Sequence, residues 1–209
     1  MTRQDKIDIV RNNVITNAQT YSSQLAGRYY LYIFENHCFE MYYGIDNYLH
    51  LTGVGTYLSP SQFYSLAKSG HLQSSQMYFN QRFPLSTAMK KSDNLKDLGN
   101  FVSEGYFIIK DFATDTCIYP YAITNIDQSV LIGLKQEEIE EIYVPKSFCV
   151  KGNIFDKSTS ENIFEIQYIL CKIDMEEKYD TILYGEESNF NDLDESIKER
   201  IDEKTLKGD

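Results

Sequence analysis

From residue 105 onward the chain is a succession of short runs, GYFIIKDF, TCIYPYAITN, SVLIGLKQ, EIYVPKSFCV and FEIQYILCKI, each set off by turn-forming or charged residues. Their β-branched and aromatic content and their length read as strands, and their close succession reads as an antiparallel meander. Pro120 and Pro145 cannot donate to a ladder, which predicts edge positions or strand ends for their runs. YDTILYG adds a last strand. The aromatic residues, seventeen Tyr and twelve Phe with no Trp, suit half-buried sheet faces.

The first hundred residues have a different period. Ile7, Val10, Val14, Ala18, Tyr21 and Leu25 recur at threes and fours, predicting a helix over 4–25 that Gly27 ends. RYYLYIFE and CFEMYYG then read as a hairpin turning at Asn36-His37. Ser59 before Pro60 is an N-cap signal for a helix that Gly70 stops. His71 lies just past that stop, where a histidine favours a helix C-terminus. Pro84 introduces another helix, with Lys90, Lys91 and Lys96 expected on its wetter sides. The end of the chain is charged, with a weak helical period at Leu193, Ile197 and Ile201 that fits a mobile helix. The predicted architecture is α+β: N-terminal helices and a short hairpin, then an antiparallel β-sheet. It divides into an N-terminal helix (1–27), a main domain (28–185) and an acidic tail (186–209).

The formal charge is −11, of which residues 186–209 contribute −5. That balance repels phosphates unless basic groups gather locally, and it counts against a large nucleic-acid surface. No apolar run reaches the roughly 18 residues that span a bilayer, and the polar N-terminus has no signal-peptide segment. The expectation is a cytoplasmic protein with no membrane contact. Cys38, Cys117, Cys149 and Cys171 are scattered without zinc spacing, so free thiols are expected and neither metal nor cofactor.

LHLTGV, followed by a Ser-capped helix containing Phe63-Tyr64, and the later series VLIGL, IYVPKSF, FEIQYILCKI and YDTILYG resemble the phage-associated nuclease-like family named after Barnase, EndoU, colicin and RelE (the BECR fold). The resemblance spans roughly residues 28–185. It implies a metal-independent RNase on a RelE-like helix-plus-sheet fold, serving as a toxin, a phage-borne effector or part of anti-phage defence. The residues carried over are those in the two matching motifs, His50, Thr52, Lys146 and Ser147. RNA is the implied substrate, and an antitoxin or other protein the implied partner.

Metal-free RNA cleavage needs a base for the 2′-hydroxyl, an acid for the leaving 5′-oxygen, and cations or oriented donors for the charged phosphorane. His50 titrates near neutrality, Lys146 supplies charge, Thr52 and Ser147 supply hydroxyls, and Tyr143 is a candidate for stacking on a base. Each has a second reading. His50 fits a packed loop histidine equally well; Thr52 fits a turn residue bonding its own backbone; Lys146 fits a solvated strand-end lysine. Lys90 and Lys91 fit a wet helix face or the wall of an RNA path. The acidic balance also supports a different class, a non-catalytic interaction protein or inhibitor whose acidic surface occupies a basic partner.

Overall fold

The computed structural model describes residues 1–114, 117–137, 141–150, 162–173, 176–186, 190 and 192–207. Thr2 closes the N-terminus of α1 (Arg3–Gln24). Its hydroxyl accepts from the Asp5 N–H at 3.1 Å, and the Asp5 carboxylate accepts from the Thr2 N–H at 2.6 Å, a reciprocal box that satisfies two orphan donors. Val10, Val14, Ala18 and Tyr21 form the buried stripe of this helix. A short helix α2 (Asn47–Thr52) follows the first hairpin, and α3 (Pro60–Lys68) begins at the Ser59 cap, boxed with Gln62. Helix α4 (Leu85–Asn94) runs into 3-10 turns over Leu95–Val102. Two buried phenols pin these helices together. Tyr48 donates to the Val14 carbonyl at 2.6 Å and Tyr21 to the Gly44 carbonyl at 2.7 Å.

The strands are β1 (Arg28–Phe34), β2 (His37–Tyr42), β3 (Gly55–Thr56), β4 (Met77–Tyr78), β5 (Tyr106–Ala113) and β6 (Ile118–Asn125). Then come β7 (Val130–Gln136), β8 (Tyr143–Val150), β9 (Ile163–Glu165), β10 (Tyr168–Ile173) and β11 (Thr181–Tyr184). β3 pairs only with β4; the other nine form one sheet in the order β11-β10-β1-β2-β8-β7-β6-β5-β9. Only Ile166 and Gln167 separate β9, at one end of that order, from β10, near the other. The Gln167 N–H donates to the Ile33 carbonyl at 2.8 Å as the chain crosses over. The sheet is therefore curled on itself. Inside the curl Phe39 stacks on Tyr121 at 4.6 Å and Phe34 meets Phe164 at 5.6 Å, joining β1 and β2 to β6 and β9.

The α+β architecture matches the expectation, but the sheet is mixed. β2 and β8 run parallel, paired at Met41 and Tyr143, because the chain crosses the helical layer between them instead of turning back at once. The two prolines also lie inside the sheet. Pro120 belongs to β6, between β7 and β5, and Pro145 to β8, between β7 and β2. Each sits where the ladder is interrupted. Pro120 falls opposite Asp111, which has a positive φ of 52° and is skipped in the β5–β6 register. Pro145 adjoins the register shift at Gly133/Leu134. An interrupted ladder leaves a backbone position that needs no donor, so an interior strand tolerates proline there. The first hairpin turns at Glu35-Asn36, and His37 is the opening residue of β2.

The helices cover the inner face of the sheet, and the outer face carries two smaller apolar clusters. One is built by the C-terminal segment. Phe190, Leu193, Ile197 and Ile201 are buried against Leu31, Ile33, Leu170 and Tyr179, and Glu40 holds Lys172 (3.2 Å) and Arg200. The described part of the acidic tail is thus docked on the sheet. Residues 187–189, 191, 208 and 209 lie outside the described residues. Among the described residues no helix is long and apolar enough to cross a membrane.

Candidate active site

His50 owes its position to the short helix that carries it. Tyr48, Leu51 and Thr52 turn inward on α2 and are buried, which leaves His50 on the exposed side of the last turn. Gly53, at φ 72°, then reverses the chain in a left-handed conformation that glycine adopts without strain. The Thr52 hydroxyl is consumed by this turn. It donates to the Leu49 carbonyl at 2.8 Å and accepts from the Val54 N–H at 3.1 Å, with the residue wholly buried. Thr52 shapes the turn behind His50 and offers no hydroxyl to the surface.

Helix α2 packs along β8 and against α4, and these neighbours determine the electrostatics. The pKa of His50 lies below its ordinary value. Partial burial of the ring is the largest cause, and the Lys146 and Lys91 ammonium charges push the same way while Asp46 opposes them. His50 is therefore a neutral base at pH 7. Lys146 comes from the interrupted part of β8, and its ammonium is 3.1 Å from the Glu137 carboxylate in a partly exposed ion pair. Lys91 lies on the inner flank of α4 and is half-buried. Burial lowers its pKa too, with Cys149 as a smaller opposing influence. Its aliphatic stem passes Gly53 so closely that a Cβ there would meet Lys91 Cδ at 2.9 Å.

Of the four residues singled out from the sequence, the structure brings His50 and Lys146 within electrostatic reach and sets Thr52 beneath them. Ser147 follows Lys146 on β8 and engages other neighbours. Its cross-strand partner is Gly133, its hydroxyl is 3.4 Å from Cys149 Sγ, and both sides of that contact belong to the outer face, where Tyr119 covers Gly133. Tyr143 is packed edge-on against Phe39 and Tyr121 on the inner face. Lys91, which fitted either a wet helix face or the wall of an RNA path, is half-buried beside the Gly53 turn. Its spacing carried the signal: Lys91 falls three residues after buried Ala88 and one before buried Ser92.

Two sizeable hollows lie away from this centre. One, of about 670 Å³, is lined by Arg28, Tyr30, Lys172, Glu176 and Asp180; the other, of about 960 Å³, by Glu35, Glu165, Tyr168, Glu186 and Asp192. Neither includes His50, and the larger is acidic, the wrong sign for a phosphate. His50 itself is exposed. Among the described residues no three or more His, Cys, Asp or Glu side chains are grouped to hold a metal ion.

A helical layer on a curled mixed sheet, with a histidine whose proton is loosened by two lysines, has the components of a small nuclease-like protein. Residues 13–188 match the family described as phage-Barnase-EndoU-ColicinE5/D-RelE like nuclease4. That match covers most of the chain, and the chain belongs to this family. It begins inside α1 and takes in the rest of that helix, which packs in the main core. No curated protein and no solved structure matches the chain.

Proposed function

We propose that the protein is an endoribonuclease that cleaves RNA without a metal ion, through attack of the 2′-hydroxyl on the adjacent phosphorus. Neutral His50 accepts the 2′-hydroxyl proton. The new O–P bond forms as the 5′-oxygen departs with its electron pair, and the Lys91 ammonium, made more acidic by its burial, protonates that oxygen. Lys146 stabilises the negative charge of the phosphorane. Thr52 positions His50 from within its turn, while Ser147 holds the outer face of β8. The products are a 2′,3′-cyclic phosphate and a free 5′-hydroxyl; solvent then returns the proton to Lys91 and takes one from His50.

The observation that carries this reading is the packing of α2 against β8 and α4, which sets the partly buried His50 ring within electrostatic reach of Lys146 and Lys91. One base and two cations drawn from three elements around α2 are the minimal set for phosphoryl transfer without a metal. The biological setting we infer, in keeping with the family, is a phage-borne or anti-phage effector inside a cell, restrained by an antitoxin-type partner. Purified protein incubated with single-stranded RNA in EDTA should generate cyclic-phosphate ends. His50→Ala should slow that reaction by about 10²–10⁴-fold, the range of general acid–base catalysis. Equal survival of the RNA with wild type and variant would remove the catalytic assignment.

A further inference from the structure

The chain is acidic, yet its acids are absent from one long stretch. Residues 47–92 contain Lys68, Arg82, Lys90 and Lys91 and no Asp or Glu. The formal charge of that stretch is +4, leaving −15 for the remainder of a chain at −11. It holds α2, the β3–β4 ribbon, α3 and most of α4, including His50 and Lys91.

Within it stands an aromatic stack that the core does not use. Tyr57, directly after β3, is 90% exposed. Its ring lies 4.7 Å from that of Tyr78 at 37°, and Tyr78 meets Phe83 edge-on at 5.7 Å. The Arg82 guanidinium sits over Phe83 at 5.5 Å. Close backbone packing sets this geometry. A Cβ on Gly55 would meet the Tyr78 ring at 2.5 Å, so only glycine lets the ring lie flat against β3 and support Tyr57 from beneath. A rigid, supported ring with one open face, beside an arginine, matches the platforms on which nucleic-acid bases stack.

We propose that Tyr57, backed by Tyr78 and flanked by Arg82, is a base-stacking subsite for single-stranded RNA. It holds a nucleotide close to the one cleaved at His50. The inference rests on the RNase reading and supplies the substrate class, since a stacked base has to be unpaired. Tyr57 follows His50 by seven residues, a span of at most about 25 Å even fully extended, so platform and base serve one strand a few nucleotides apart.

The test is binding, separated from cleavage. In the full chain carrying His50→Ala, affinity for a fluorescent single-stranded RNA oligonucleotide is measured by anisotropy, with Tyr57→Ala or Tyr57→Phe added. Tyr57→Ala should weaken binding by about fivefold to a hundredfold, the usual worth of one stacked base, and Tyr57→Phe should restore it. Tyr57 is too exposed for its loss to disturb the fold. Unchanged affinity in Tyr57→Ala overturns the subsite, as does an equal loss on fully double-stranded RNA. If sedimentation shows instead that Tyr57→Ala dissolves a self-association while RNA affinity holds, the face is a protein contact and the subsite is again overturned. Tyr57-dependent binding by a protein that leaves RNA intact would support the platform while the catalytic reading fails. Cleavage that depends on His50, with binding indifferent to Tyr57, would do the reverse.

Discussion

His50 binds its proton less tightly than a free histidine because its ring is partly buried and faces Lys146 and Lys91. For a base, that makes the sign of the pH dependence definite. Activity should rise with pH through a midpoint below 6.5, the unperturbed value, as the neutral ring becomes populated. Lys146→Ala removes one of the two charges, so the His50 pKa rises and the acid limb of kcat/KM moves to higher pH, while kcat falls by about 10²–10³-fold as phosphorane stabilisation is lost. Lys146→Arg should keep the limb in place. A limb indifferent to Lys146→Ala would show that the two groups do not share a site. His50 and Lys146 stand out in the sequence because each lies in a short motif. The half-burial of Lys91 was harder to read, since a lysine beside another lysine fits solvated surface as well as an RNA path and only the helical phase relative to Ala88 and Ser92 distinguishes the two.

At the scale of elements, α2 is a helix of only six residues that borrows its rigidity from Tyr48, bonded into α1, and from the Gly53 reversal. Gly53→Ala forces a left-handed backbone on a residue with a Cβ, costing about 1–2 kcal/mol, and pushes that Cβ onto the Lys91 stem. The melting temperature should drop by about 2–8 °C, with RNA cleavage reduced beyond what the loss of stability explains. Gly70→Ala is the internal control. It has a similar φ of 77° and nothing within 4 Å of a Cβ, so it should cost stability while sparing cleavage. Equal activity in the two variants would show that the approach of Lys91 to Gly53 is immaterial. Helices and strands were largely legible here, from the Ser59-Pro60 start to the short β-prone runs. What the sequence hid was pairing. The parallel β2–β8 contact and the ladder interruptions that admit Pro120 and Pro145 depend on chain crossings and register, which hydrophobic period alone does not encode.

Over the whole molecule, the C-terminal segment is a structural layer. Phe190 is buried with Tyr168 and Tyr179 over the outer face of β1 and β10, and its truncation to alanine should cost about 3–5 kcal/mol. That corresponds to a loss of about 6–20 °C in melting temperature, read by calorimetry; a shift within 2 °C would mean that the segment adds little. Its composition reads as a solvated tail because acids outnumber apolar residues. The few apolar ones, Phe190, Leu193, Ile197 and Ile201, recur often enough to cover one patch of sheet. The pairing of Lys146 with Glu137, 3.1 Å apart at rest, bears on how such a molecule selects what it accepts. The carboxylate is a tethered competitor, present at high effective concentration, and an incoming phosphodiester has to evict it. A lone phosphate or short fragment, gripped at one point, is poorly equipped for that exchange. A longer strand, already held at a second place, is not, and on the proposed function the resting ion pair favours longer strands over fragments.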